Sequence, residues 1–314
     1  MTTVETLTFD SHGARCEASW WEAGGPALTT AAGTPCVVMA HGFGTTRDSG
    51  LALFAEWFAA AGCHVLAFDY RGFGGSEAPR GRFRQDVDHR RHREDYHAAV
   101  ATVRARDDVD PDRVALWGTS YSGGHVVAVA AQDPRIAAVV SQGAAVDGLA
   151  VLTGRGRERD PATRDRGKAP RVLRAAAADD WRAATRRPPR MLPLLGEVGS
   201  GALLTGPGAV AFEGLIGPTF RNEMCARGVP RIARNRPVTM AGDVRCPTLI
   251  VVAERDEVAP PGSVRAVAEA IGPAAEVAAY DCEHFALYAG VGDSLDRQAA
   301  FLVRVLAPGV RAAG

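Results

Sequence analysis

Lysine is almost missing from this chain: Lys168 is the single one among 36 basic residues. That skew, with abundant alanine, glycine and valine, reads as the coding bias of a GC-rich genome rather than as an adaptation to a ligand. Net charge is missing as well. The 36 basic residues balance 36 acidic ones, so nothing draws the whole molecule toward nucleic acid or an anionic membrane. The six cysteines, Cys16, Cys36, Cys63, Cys225, Cys246 and Cys282, include no C-x-x-C pair and no histidine at metal-finger spacing, a pattern that fits a reduced, cytoplasmic setting. No uninterrupted run of about 18 apolar residues is present to span a membrane. The nearest, residues 191–217, is broken by Pro193, Glu197, Pro207 and Glu213 and reads as apolar surface covered by other protein. The opening residues alternate polar and apolar and lack the basic start and apolar stretch of a signal peptide.

What is present is a long strand-helix rhythm. With 314 residues the chain can bury a substantial core in one large domain or two ordinary ones. "VETLTF" and "RCEASWWEA" alternate as an antiparallel pair would. Then come apolar strand-like runs, "PCVVMAHG", "HVLAFDY", "RVALWG" and "IAAVVSQGA", separated by helical patterns such as "LALFAEWFAAAG", "REDYHAAVATVRARD" and "GGHVVAVAAQ". Repeated units of this kind predict an α/β fold, a mostly parallel sheet covered by helices on both faces. Between about Val146 and Asp243 the rhythm gives way to Arg-, Gly- and Pro-rich sequence with helical pieces such as "VLRAAAADDWRAATR". It returns with "CPTLIVVAERD", "PPGSVRAVAEAIG", "AEVAAYD" and "DSLDRQAAFLVRVLA". The expectation is a core domain built from 1–145 and 244–314, interrupted by a largely helical insertion over 146–243. An insertion that long exceeds what a connection needs and suits a lid.

Chemistry is concentrated in "LWGTSYSGGHV". Ser120 follows a predicted strand directly and precedes a predicted helix, the setting of a nucleophile elbow, where a tight turn lifts the hydroxyl above the strand ends. The turn requires small neighbours, and Gly118, Ser122, Gly123 and Gly124 supply them; Ser122 stands where G-x-S-x-G has its second glycine. A serine hydroxyl needs an imidazole to take its proton and a carboxylate to orient that imidazole, in the chain order Ser, acid, His for this architecture. Asp256, in "AERDEVAPP", and His284, in "DCEHFALY", each follow a predicted strand, so they emerge at the same sheet edge as Ser120. Glu254, Glu257 and Asp281 lie close to these in sequence, and Asp147 follows the preceding strand as the alternative acid. Backbone amides of Tyr121 and Phe43, the latter in "MAHGFGTTRD", are the expected oxyanion donors, each worth about 3 to 4 kcal/mol.

Taken together, "AHGFG", "FDYRGFGGSE", "LWGTSYSGGH", "VVAERDEVAPP" and "EHF" resemble the α/β-hydrolase superfamily, in its order and over nearly the whole chain apart from the insertion. More narrowly, "HGFGTTRD", "REDYHAAV" and "GTSYSGGH" look like bacterial and fungal hydrolases of the dienelactone-hydrolase and prolyl-dipeptidyl-peptidase-like branches, some of them associated with polyketide and toxin biosynthesis. The resemblance implies the α/β-hydrolase fold, a Ser120, Asp256, His284 triad, no metal and no organic cofactor. It points to a small-molecule ester, lactone or thioester as substrate, with no nucleic-acid or membrane partner and with a homodimer left open. Amide or C–C hydrolysis and acyl transfer to an alcohol use the same triad. A non-catalytic ligand-binding role for the same fold is the contrasting reading.

Other motifs have plainer explanations. His41 is expected to brace the oxyanion loop, and Asp69 and Arg71 to fix the loop after their strand. His89, His92 and His97 with Asp86 and Asp88 invite a metal reading, but a helix start with a solvated charged face accounts for them equally. Residues 191–217 could line an acyl pocket, form lid core or make a dimer contact.

Overall fold

Strands β1 (Val4–Ser11) and β2 (Ala14–Trp21) form the antiparallel hairpin that the alternating sequence predicts, in register from Val4 opposite Trp21 to Ser11 opposite Ala14. The structure is a computed structural model that describes residues 4–153 and 167–309. β2 runs antiparallel to β4 (His64–Phe68), and from there the sheet is parallel through β3 (Thr34–Ala40), β5 (Val109–Thr119), β6 (Ala138–Gln142), β11 (Thr248–Ala253) and β12 (Ala275–Tyr280). The eight strands are ordered β1-β2-β4-β3-β5-β6-β11-β12.

Strands buried on both faces need no polar alternation, and β3, β4, β6 and β11 are buried throughout. Successive side chains nonetheless divide between two cores. Cys36, Val38 and Ala40 of β3 point into the larger one, shared with α2 (His89–Arg104), α3 (Tyr121–Gln132) and α8 (Pro261–Ile271). Val37 and Met39 point into the other, shared with α1 (Ala52–Ala60) and α9 (Ser294–Val305). α2 begins where Asp88 caps it, its side chain accepting from Arg90 N at 3.1 Å. Its Tyr96, Ala99, Val100 and Val103 recur at helical spacing on the buried face.

Between β6 and β11 the chain forms α4 (Gly148–Thr153), α5 (Lys168–Ala184), α6 (Pro207–Ala211) and α7 (Val229–Ile232). Interspersed are two-residue strands, β7 (Met191–Leu192) paired antiparallel with β10 (Met224–Cys225), and β8 (Leu195–Gly196) paired parallel with β9 (Leu204–Thr205). The predicted helix "VLRAAAADDWRAATR" lies largely within α5. Buried Asp179 of α5 ties the segment together: it accepts from Arg190 N at 2.7 Å and from the Arg227 backbone N–H and guanidinium at 2.8 to 2.9 Å. The apolar stretch 191–217 is divided among these short elements, and Leu194, Leu195 and Phe212 join the larger core. No described helix is long and apolar enough to cross a membrane.

Candidate active site

Ser120 stands at the junction of β5 and α3 with φ 57° and ψ −118°. A side-chain-bearing residue held there costs roughly 1 to 3 kcal/mol, and the surroundings hold it in place: its N–H donates to Gln142 O and its carbonyl accepts from Ala145 N, each at 2.8 Å. The neighbouring glycines are required by backbone contact. A Cβ on Gly118 would lie 2.4 Å from Ser122 O, and one on Gly124 2.6 Å from Ala145 O. Ser122 fits because its hydroxyl has work to do. Its Oγ accepts from Thr119 N at 2.8 Å and lies 2.8 Å from Ala40 O and 2.9 Å from Thr119 O, so it pins the end of β3 to the turn.

The structure brings Ser120, His284 and Asp256 together from three separate loops. Ser120 Oγ is 2.9 Å from His284 Nε2, and His284 Nδ1 is 2.6 Å from Asp256 Oδ2. All three are buried. Asp256 Oδ1 accepts from the Val258 and Ala259 amides at 2.7 and 2.6 Å, so the carboxylate is held from behind. The neighbouring acids are directed elsewhere. Glu254 pairs with Arg265, exposed Asp281 pairs with Arg255, and Glu257 is exposed. Asp147 is bound by Arg236 at 3.0 and 3.1 Å and accepts from the first amides of α4.

Over the serine runs the loop after β3. A Cβ on Gly42 would stand 3.3 Å from Ser120 Cβ, so only glycine lets that loop pass so close. Phe43 meets Tyr121 edge to face at 5.2 Å between ring centres. His41 lies behind the loop, its Nδ1 3.0 Å from Gly42 O and its Nε2 3.8 Å from Asp69; burial lowers its pKa, which keeps the ring neutral. Asp69 accepts from Arg47 N and Gly75 N and pairs with the Arg47 guanidinium, while Arg71 pairs with Asp95 and Glu94. Both therefore act as loop braces.

Residues 194–219 close over this edge. Leu194 packs where Gly44 lacks a side chain, and Phe212 meets Phe285 at 5.4 Å and Tyr288 at 4.8 Å between ring centres. Thr219 and Gly217 anchor the segment to Asp48 and Ser49 of the β3 loop. Ser120 is only 6% and His284 4% exposed.

The histidines of α2 do not converge. His89 and His92 lie on the buried face, not on the solvated charged face expected of them, and His97 pairs with Gln132 at 3.1 Å. Among the described residues no three His, Cys, Asp or Glu side chains are placed to hold a metal. All six cysteines are buried and unpaired by disulfides, and burial raises every thiol pKa, which leaves none poised as a thiolate. Two residues beside the serine turn escaped the sequence reading: Tyr288, whose ring lies 6.4 Å from that of His284, and Gln142, whose carbonyl accepts from Ser120 N. No local motif marks them. The only sequence signal was that Tyr288 lies four residues beyond His284.

A mostly parallel eight-stranded sheet with a strained serine turn at the end of a central strand defines an α/β protein of hydrolase architecture. The family model for the alpha/beta hydrolase fold matches residues 35–291, and the chain belongs to that family. It is 36% identical to the quorum-quenching protein AidA of Acinetobacter baumannii across 96% of this chain and 94% of that one. It is 38% identical to the thiohydrolase aneE of Aspergillus aculeatus across 44% of this chain and 40% of that protein. The polyketide transferase grgF of Penicillium sp. is 31% identical over 53% of this chain and 51% of its own length. The crystal structure of the alpha/beta hydrolase GrgF from Penicillium sp. sh18 superposes with a TM-score of 0.77 at 23% identity, covering 97% of this chain and 99% of that one. A hydrolase or acyltransferase is thereby supported.

Proposed function

We propose that the protein is a serine hydrolase that cleaves a carboxylic ester, lactone or thioester of a small molecule through an acyl-enzyme. The observation that carries this reading is the unbroken line Ser120 Oγ, His284 Nε2, His284 Nδ1, Asp256 Oδ2, with links of 2.9 and 2.6 Å. His284 takes the serine proton as Oγ attacks the carbonyl, and Asp256 holds the imidazole tautomer that can accept it. The Phe43 and Tyr121 amides stabilise the oxyanion. His284 then protonates the departing group, and water attacks the acyl-enzyme. In this reading 1–145 and 244–314 form the catalytic core and 146–243 the lid, with Leu194 and Phe212 lining the acyl site.

The test is hydrolysis of p-nitrophenyl esters from acetate to decanoate by the native protein and by Ser120→Ala. Turnover is expected to vanish with the serine in a variant that keeps its fold; activity retained by Ser120→Ala rules the mechanism out. A second reading, acyl transfer to an alcohol or cyclisation, is favoured by the closed cover over Ser120, which limits water, and by the polyketide transferase among the relatives. Product analysis with a competing alcohol separates the two. A protein that binds a small ligand but whose Ser120 never reacts with a fluorophosphonate is a binding protein instead.

A further inference from the structure

Gln142, the last residue of β6, grips the serine turn at two points. Its carbonyl accepts the Ser120 N–H at 2.8 Å, and its side-chain Nε2 donates to Thr119 Oγ1 at 3.2 Å. The residues just beyond it reach the rest of the site: Ala145 N donates to Ser120 O at 2.8 Å, and a Cβ on Gly143 would lie 3.7 Å from His284 Nδ1. The seating of Gln142 therefore bears on both the serine and the imidazole. Its amide is oriented from α9, which packs on the face of the sheet opposite α3. Trp117 Nε1 can only donate, and at 2.7 Å it claims Gln298 Oε1. Gln298 Nε2 then donates to Ser294 Oγ and to Gln142 Oε1, each at 2.9 Å, which leaves Gln142 Nε2 to face Thr119. All five side chains are buried. Satisfying Trp117 needs only Gln298. An apolar residue at 142 would need no partner, whereas a buried amide is costly unless it is hydrogen-bonded, so the second glutamine serves the turn and not Trp117.

We propose that Gln142 and Gln298 are positioning residues that hold the Ser120 turn in line with His284 from across the sheet, so that the closing helix supports acyl transfer without touching substrate. This rests on Ser120 being the nucleophile. With φ at 57° Ser120 is strained, and such strain persists only where the surroundings over-determine the backbone. Removing the side-chain grip leaves the backbone bonds in place but frees Thr119 to turn. A share of the molecules then carries Ser120 Oγ outside its 2.9 Å reach of His284 Nε2. Those molecules still bind substrate but do not turn it over, so the loss falls on kcat and not on KM.

The experiment measures kcat and KM on a p-nitrophenyl ester, after labelling of the native protein with a fluorophosphonate has been checked at Ser120. Gln142→Met, Gln298→Leu and Thr119→Val are each expected to lower kcat about three- to tenfold with KM unchanged, the size of one neutral hydrogen bond. Gln142→Met combined with Thr119→Val should lose no more than the larger single loss, because cutting one line twice is not additive. Thr119→Ser, which keeps the hydroxyl, should regain the activity that Thr119→Val loses. Ser294→Ala withdraws a partner from Gln298 without loosening Gln142, so it should lower the melting temperature and leave kcat intact. Unchanged kcat in any folded single variant of the line, losses that multiply, or an equal fall in Ser294→Ala overturns the proposal. Should Gln142→Met or Gln298→Leu fail to fold, the contrast between Thr119→Val and Thr119→Ser decides by the same criterion. Failure of the native Ser120 to label overturns the nucleophile reading itself, a result distinct from normal labelling with indifferent variants.

Discussion

Replacing Asp256 by asparagine tests the site most sharply, because its surroundings dictate how the amide must sit. The Val258 and Ala259 N–H groups, 2.7 and 2.6 Å from Oδ1, require an oxygen there. An asparagine satisfying them turns its NH2 group toward His284 Nδ1. That nitrogen must then accept, and the ring proton moves to Nε2, the atom facing Ser120 Oγ at 2.9 Å. An imidazole protonated at Nε2 cannot take the serine proton. Flipping the amide restores the base but sets NH2 against two buried N–H donors. Leaving each without an acceptor costs about 1 to 3 kcal/mol, so the productive arrangement lies roughly 2 to 6 kcal/mol higher. At 1.36 kcal/mol per tenfold, kcat should fall by about one and a half to four and a half orders of magnitude with little loss of stability. Steady-state hydrolysis of a p-nitrophenyl ester gives the first quantity and a thermal melt the second. Asp256→Asn retaining more than about a tenth of the native kcat refutes the assignment. Asp147→Asn should leave kcat intact, since Asp147 serves Arg236 and the start of α4; the reverse pattern transfers the acid's role to Asp147.

Three further outcomes follow from the same structure. Buried His41, His89, His92 and His125 have pKa values lowered by burial, His89 to about 4, and His125, His41 and Arg91 lower that of His92 further. They fold neutral while the unfolded chain takes up protons below about 6.5, so their contribution is whole above that pH and is lost as pH falls toward the folded-state values. Denaturation midpoints should drop steeply between pH 6.5 and 4, and His92→Phe should flatten the slope; a midpoint level across that range contradicts the neutral cluster. Gly118→Ala forces a Cβ to within 2.4 Å of Ser122 O, and a loss of about 3 kcal/mol is expected in urea unfolding, with a neutral substitution counting against the tight turn. Ser122→Gly restores the usual elbow pattern yet strips Thr119 N of its acceptor and frees the end of β3. It should cost about 1 to 3 kcal/mol of stability, and a stabilised variant would show that the hydroxyl ties nothing.

The fold was legible because its signals are local. Continuous apolar runs between helical patterns specify strands buried on both faces, and glycines around Ser120 specify a turn too tight for side chains. The order Ser120, Asp256, His284 placed three residue types on three loops of one sheet edge. Which carboxylate faces the imidazole was not local: Asp147 and Asp256 both follow strands, and only packing turns one to Arg236 and the other to His284. The histidine-rich start of α2 misled for a related reason. Its arginines and aspartates look solvated in sequence, but docking on the sheet sends His89 and His92 inward, His92 among Tyr70, Phe73 and His125. Gln142 and Gln298, joined at 2.9 Å, bear no motif, since a hydrogen-bond chain needs only that donors and acceptors from distant segments meet within about 3 Å. Sequence determines which groups the chain carries and where its backbone can turn. The tertiary structure alone decides which groups share one buried space, because burial and hydrogen-bond geometry depend on separations in space that spacing along the chain does not encode.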